Sequence, residues 1–299
     1  MIELKNIYIP VMEDLTQVEA QISEQLRFLT AGHKFVNEIV RHFFDNPGQK
    51  MRPALVILSA KAAFASETSE KKLGNESPYS EDVLTLATIV EYIHSASLIH
   101  DDVVDDAVSR RGKPSMNVQF KNKISVLAGD MLYSHAFALL TDRFDRNIMK
   151  ILSRCVQRMC RGEINELRKC DFEQYLGIIE DKTAVFMSAC CNAGAAVSLK
   201  NGNPKKVRAL ADFGLNLGMV YQMVDDLRDG DAPIPIVGVN RDKLVEKLNE
   251  FVSNAEKNLS VLCDSVYKES LANLLRYIIE QHREIKDMVN CSAVNLGGK

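Results

Sequence analysis

The sequence carries almost nothing that would build a β protein. Alternating apolar and polar runs bounded by turn dipeptides are absent, so half-buried strands and hairpins are not expected. Its seven cysteines are an odd number without regular spacing, which argues against a disulfide framework and fits a reducing compartment. Cys190 and Cys191 sit in an apolar helical segment, where buried thiols are expected. No cysteine–histidine grouping has zinc-like spacing. A formal charge of -3 gives no reason to expect a nucleic-acid partner. Met1 to Pro10 contains Glu3 and no apolar run flanked by basic residues, so a signal peptide is not expected. Thr183 to Leu199, the most membrane-like stretch, is interrupted by Asn192 and short for a bilayer span, so no transmembrane segment is expected. A cytoplasmic location is the resulting expectation.

What is present is helical periodicity over nearly the whole chain. Val11, Leu15, Val18, Ile22 and Leu26 form one apolar stripe; Leu244, Leu248, Phe251, Val252, Ala255, Leu259 and Leu262 form another. Between them the pattern predicts helices at about 34–45, 53–65, 81–107, 122–142, 147–168, 172–199, 204–228 and 270–289. Hydrophobic content of 46% and charged content of 26% are those of a chain with a sizeable core. Polar punctuation at Ser66 to Ser80, Ser109 to Pro114 and Gly230 to Pro235 separates no differently composed halves. The expectation is one all-α domain over 1–299 with about ten helices.

Two aspartate motifs share one spacing. Asp101-Asp102-Val103-Val104-Asp105 and Asp225-Asp226-Leu227-Arg228-Asp229 each close an apolar helical segment. Residues four apart share a helix face, so Asp101 pairs with Asp105 and Asp225 with Asp229. Two such pairs facing each other make an oxygen-only anionic site, suited to Mg²⁺ with substrate phosphates. An EF-hand is excluded, because neither copy has the glycine and terminal glutamate of the calcium loop. Carboxylates at a helix C-terminus oppose its dipole, and bound cations would offset that cost. Arg110-Arg111-Gly112-Lys113-Pro114 follows the first motif, and a second basic turn reads Gly48-Gln49-Lys50-Met51-Arg52-Pro53. Arginine pairs bind phosphate bidentately, so the chemistry points to a metal-assisted reaction of a diphosphate.

The stretch Ile93-His94-Ser95-Ala96-Ser97-Leu98-Ile99-His100, running through the first motif to Arg110-Arg111-Gly112-Lys113-Pro114, resembles the all-trans polyprenyl diphosphate synthases. Leu127-Ala128-Gly129-Asp130, Asp181-Lys182-Thr183-Ala184 and Tyr221-Gln222-Met223-Val224 match the same family, in its order. The resemblance implies an antiparallel helix bundle of the isoprenoid synthase type around a deep apolar cavity. It implies three Mg²⁺ bridging an allylic diphosphate to Asp101, Asp105 and Asp225, with Asp102, Asp226 and Asp229 in support. Arg110, Lys182, Thr183 and Gln222 match family residues on the allylic side; Arg52, His94 and Arg111 match those that hold isopentenyl diphosphate. It implies a homodimer, and a product longer than farnesyl with a channel passing Ala96 and Ser97 toward Tyr133 and Phe137. The closest likeness is to medium- and long-chain synthases that make quinone side chains.

Two departures remove positive charge. Gln49 stands where the family has a lysine at the isopentenyl site, with Lys50 one place along. The family's lysine-bearing loop after the second motif is missing, since Asp229-Gly230-Asp231-Ala232-Pro233 leads almost directly into the next helix. These losses motivate one rival reading, a weakly active or non-catalytic subunit of a heteromeric synthase. A short-chain farnesyl or geranylgeranyl synthase is another. A terpene cyclase is a third, against which the Arg52, His94 and Arg111 set argues.

Overall fold

The computed structural model describes residues 3–45, 48–71, 80–168, 170–200, 202–229 and 241–280, without the side chains of 69–71, 80, 228–229 and 241. The chain begins with α1 (Leu4–Ile7) and a 3₁₀ turn at Ile9–Val11, then α2 (Met12–Leu29), α3 (Lys34–Phe44), α4 (Met51–Lys71) and α5 (Ser80–Val104). A two-residue ladder, β1 (Ser109–Arg110) with β2 (Lys113–Pro114), leads to α6 (Met116–Phe120), α7 (Asn122–Arg143) and α8 (Arg146–Glu166). There follow α9 (Phe172–Ile179), a π-helical turn at Glu180–Ala184, α10 (Val185–Ser198), α11 (Pro204–Asp229), α12 (Arg241–Leu259) and α13 (Val266–Glu280). The all-α expectation holds. The described residues group into two compact units, one of Met12–Ala54 with Ser80–Met149, the other of Met1–Val11, Leu55–Tyr79 and Lys150–Lys299.

In the first unit α5 pairs with α7 and also packs on α2. The stripe of α2 buries Leu15, Val18, Ile22 and Leu26, while α5 is apolar on every side and buries Leu86, Ala87, Ile89, Val90 and Ile93 completely. Full burial of each such side chain contributes about 1.5–3 kcal/mol. Its buried polar groups are answered by α2: Thr88 donates to Gln21 Oε1 at 3.0 Å, and Tyr92 to the Ile22 carbonyl at 3.3 Å. By length and composition α5 and α7, rather than 183–199, are the described helices apolar enough to cross a membrane. The burial of α5 marks it as a core helix.

In the second unit α10 and α11 pack closely, with α12 and α13 on α11. Cys190 and Cys191 are fully buried, as expected. Gly218 lets the two backbones meet, since a Cβ there would lie 2.4 Å from Ala184 Cα. The α12 stripe buries Leu244, Leu248, Val252, Ala255 and Leu259. The single helix expected over 172–199 is interrupted by the π turn, whose extra residue re-aims the side chains around it. The absence of strands needs a small correction at 109–114, where Arg111 and Gly112 take φ of 52° and 78° and close a two-residue hairpin. The end of the helix expected at 270–289 lies outside the described residues.

Candidate active site

The first motif ends α5 in a C-terminal capping turn. Asp105 N–H donates to the Asp101 carbonyl and Ala107 N–H to that of Asp102, with Asp106 at φ 49°. Asp101 and Asp105 therefore keep their common face, as expected from spacing. Asp102 points elsewhere. It is buried and accepts from Arg110 Nε at 2.7 Å. Burial raises its pKa and Arg110 opposes the rise. Arg110, expected on the allylic diphosphate, is here the counter-ion of Asp102.

The hairpin sends its two arginines apart. Arg111 in the left-handed turn runs back against Gly48, where a Cβ would lie 2.3 Å from Arg111 Nη2. A side chain at 48 would push the guanidinium aside, and the strained φ of Arg111 is the kind that persists at functional sites. Arg52 Nη1 lies 3.1 Å from His94 Nε2. Burial, then Arg52, Arg111, Arg110 and Lys50, hold the His94 pKa well below its ordinary value. The expected isopentenyl-site residues Arg52, His94 and Arg111 thus gather in one basic cluster. Gln49 is exposed beside it. Lys50 does not stand in for the missing lysine. Its Nζ pairs with buried Glu91 Oε1 at 2.9 Å, a partner that sequence reasoning missed.

On the second unit, the middle aspartate of the second motif is likewise fixed by protein donors. Tyr175 OH donates to Asp226 Oδ2 at 2.7 Å, and Gln222 Nε2 to Asp226 Oδ1 at 2.8 Å. Thr183 Oγ1 donates to Gln222 Oε1 at 2.7 Å. Burial raises the Asp226 pKa against the pull of Tyr175 and Gln222, and pushes the Tyr175 phenol far up. Thr183 and Gln222, expected on the allylic side, form one hydrogen-bonded chain with Asp226. Asp225 is half-buried. The side chain of Asp229 and the shortened loop after it lie outside the described residues.

The π turn sets Lys182. Gly162 on α8 lies so close that a Cβ would come 2.6 Å from Lys182 N. Asp181, buried, accepts from Arg161 Nε at 2.5 Å and Nη2 at 2.9 Å and from Arg158 Nε at 2.6 Å. Those arginines hold its carboxyl below the usual range although burial pulls the other way. Lys182 Nζ is bonded to Glu166 and lies 3.1 Å from Glu163. Burial would lower its pKa, but the two carboxylates raise it. The i, i+3 pairs Arg158/Arg161 and Glu163/Glu166 were visible on one helix face; nothing in the sequence singles out Tyr175 or Glu91.

Of the expected chain-length residues, Ala96 is fully buried, while Ser97 is half-buried with its hydroxyl donated to the His94 carbonyl at 2.9 Å. Tyr133 packs on the His100 ring at 5.8 Å. α7 runs antiparallel to α5, Gly129 meeting His100 and His135 meeting Tyr92, so Tyr133 lies between those two levels of α5. Phe137 lies one turn further along α7.

Mg²⁺ suits this donor set. Each motif commits its middle aspartate to protein donors, and Asp101, Asp105 and Asp225 are the carboxylates that would hold an ion. Among the described residues no three His, Cys, Asp or Glu side chains converge as a metal group.

The fold is all-α, with one Asp motif and a basic cluster in the first unit and an Asp motif of the same spacing in the second. The polyprenyl synthetase family model matches residues 33–233, and the chain belongs to that family. The octaprenyl diphosphate synthase of Escherichia coli K12 is 30% identical over 233 residues, covering 76% of this chain and 67% of that protein. Heptaprenyl diphosphate synthase component 2 of Bacillus subtilis is 31% identical over 233 residues, covering 76% of this chain and 62% of that protein. The crystal structure of a decaprenyl diphosphate synthase from Rhodobacter capsulatus superposes with a TM-score of 0.79 at 26% identity, covering 94% of this chain and all of that one.

Proposed function

We propose that this trans-prenyltransferase condenses isopentenyl diphosphate onto an allylic diphosphate to give a linear polyprenyl diphosphate longer than farnesyl, for a quinone side chain. The observation that carries the reading is the cluster of Arg52, His94, Arg110 and Arg111 beside the first Asp motif. Arginines gathered round one buried imidazole, with Arg52 Nη1 3.1 Å from His94 Nε2, suit the binding of an anion. Arg52 and Arg111 would hold the diphosphate of isopentenyl diphosphate, with neutral His94 fixing Arg52. Lys182 and the Thr183–Gln222–Asp226 chain would serve the allylic diphosphate.

Asp101, Asp105 and Asp225, supported by Asp102, Asp226 and Asp229, would hold Mg²⁺, with three ions expected when substrate is bound. Bound Mg²⁺ supplies Lewis-acid stabilisation of the departing diphosphate. The protein's own part is to place cations on that leaving group and to keep water from the allylic cation until the isopentenyl double bond attacks it. We infer further that 1–299 act as one synthase domain, as a cytoplasmic homodimer.

The test is incubation of purified protein with Mg²⁺ and both substrates, with Arg52→Ala and Arg111→Ala beside wild type. Loss of turnover with a raised KM for isopentenyl diphosphate is expected, and wild-type KM in both variants would contradict the assignment. Neutralisation of Lys50 by Glu91 favours a second reading, a weakly active subunit of a heteromeric synthase. Turnover by the chain alone at the rate of a complete synthase excludes that reading.

A further inference from the structure

The ammonium of Lys182 is bonded to Glu166 and lies 3.1 Å from Glu163, each carboxylate about one-fifth exposed. One cation facing two anions leaves a net negative charge where the allylic diphosphate is to be held. An ammonium has three N–H donors, and two carboxylates already claim two of them. The backbone offers no escape. Gly162 packs against Lys182 N and Cα, and Arg158 and Arg161 pin the preceding Asp181. Only the side chain of Lys182 can swing.

We propose that Glu166, with Glu163, is a positioning residue that withholds Lys182 and so sets how tightly the enzyme binds diphosphate groups on its allylic side. A diphosphate must draw the ammonium away from Glu166, so each binding event gives up one ion pair. The consequence is weak retention of the pyrophosphate left after each condensation, which a sequentially elongating enzyme must release before the next round. The inference rests on Lys182 serving the allylic diphosphate.

Glu166→Gln keeps the shape and removes the charge. The expected result is an apparent KM for the allylic diphosphate lower by roughly three- to tenfold, one partly buried ion pair's worth. Inhibition by inorganic pyrophosphate should tighten in parallel, with kcat and the KM for isopentenyl diphosphate unchanged. Loss of a merely structural contact would raise KM or lower Tm instead. In a Lys182→Met background the effect of Glu166→Gln should vanish. An unchanged or raised allylic KM overturns the proposal, as does an effect that persists without Lys182. If Glu166→Gln fails to fold, Glu163→Gln decides by the same criteria. If wild type proves inactive in prenyl transfer, the functional reading fails separately. Calorimetric binding of pyrophosphate with Mg²⁺ then decides this proposal, with tighter binding by Glu166→Gln supporting it and equal binding overturning it.

Discussion

Lys50 shows how a charge that looks available in sequence can be already committed. Its ammonium and the Glu91 carboxylate are 11% and 6% exposed and 2.9 Å apart. Removing one partner of such a pair strands the other, so Lys50→Met should lower the unfolding free energy by about 3 kcal/mol in urea titrations. An unchanged midpoint would show that Glu91 finds another donor. Gln49→Lys next door should leave stability alone and lower the KM for isopentenyl diphosphate, because it adds a cation that Glu91 does not neutralise. An equal KM would mean that Arg52 and Arg111 already saturate the diphosphate. His94 gives a pH signature. Its folded pKa is depressed below the ordinary 6.5, so below that pH the unfolded chain binds a proton that the folded one refuses. Stability is therefore full above 6.5 and lost as pH falls toward the folded pKa. His94→Gln should flatten that acid-side loss, and an equally steep profile would contradict the neutral imidazole.

At the scale of elements, helix positions were legible because apolar residues recur every three or four places, as in α2 and α12. The π turn was not, since Glu180-Asp181-Lys182-Thr183-Ala184 carries no glycine or proline to mark it and differs from ordinary helix only in backbone hydrogen bonding. The Arg111–Gly112 hairpin was hidden because the usual Asn-Gly or Asp-Gly dipeptide is absent. Of the site, the Asp motifs and basic turns were legible from their spacing, while Glu91 and Tyr175 were not, because pairing across helices leaves no mark in local spacing. The π turn itself is testable. Gly162→Ala places a methyl against the Lys182 backbone, and overpacking of this kind costs about 1–3 kcal/mol. Activity should fall together with Tm. Retention of both would mean that α8 can step back without disturbing Lys182. Small-to-large changes on α5 should likewise separate, with Ala96→Phe lowering stability at a fully packed position. Ser97→Phe, which keeps accessible surface, should instead shorten the product, and an unchanged product length would place the growing chain elsewhere.

For the whole molecule, the two motifs repeat one arrangement on separate helices, each with its middle aspartate tied to protein donors. Asp101→Ala and Asp225→Ala should each abolish turnover while far-ultraviolet dichroism and Tm stay near wild type. Full activity in either with Mg²⁺ alone would remove that aspartate from the metal site. The most direct measurement is the product formed by purified protein from farnesyl diphosphate and labelled isopentenyl diphosphate with Mg²⁺. The expected result is a linear, labelled polyprenyl diphosphate longer than farnesyl that disappears when EDTA is added. Failure to incorporate label, or a cyclic hydrocarbon as the product, would contradict it.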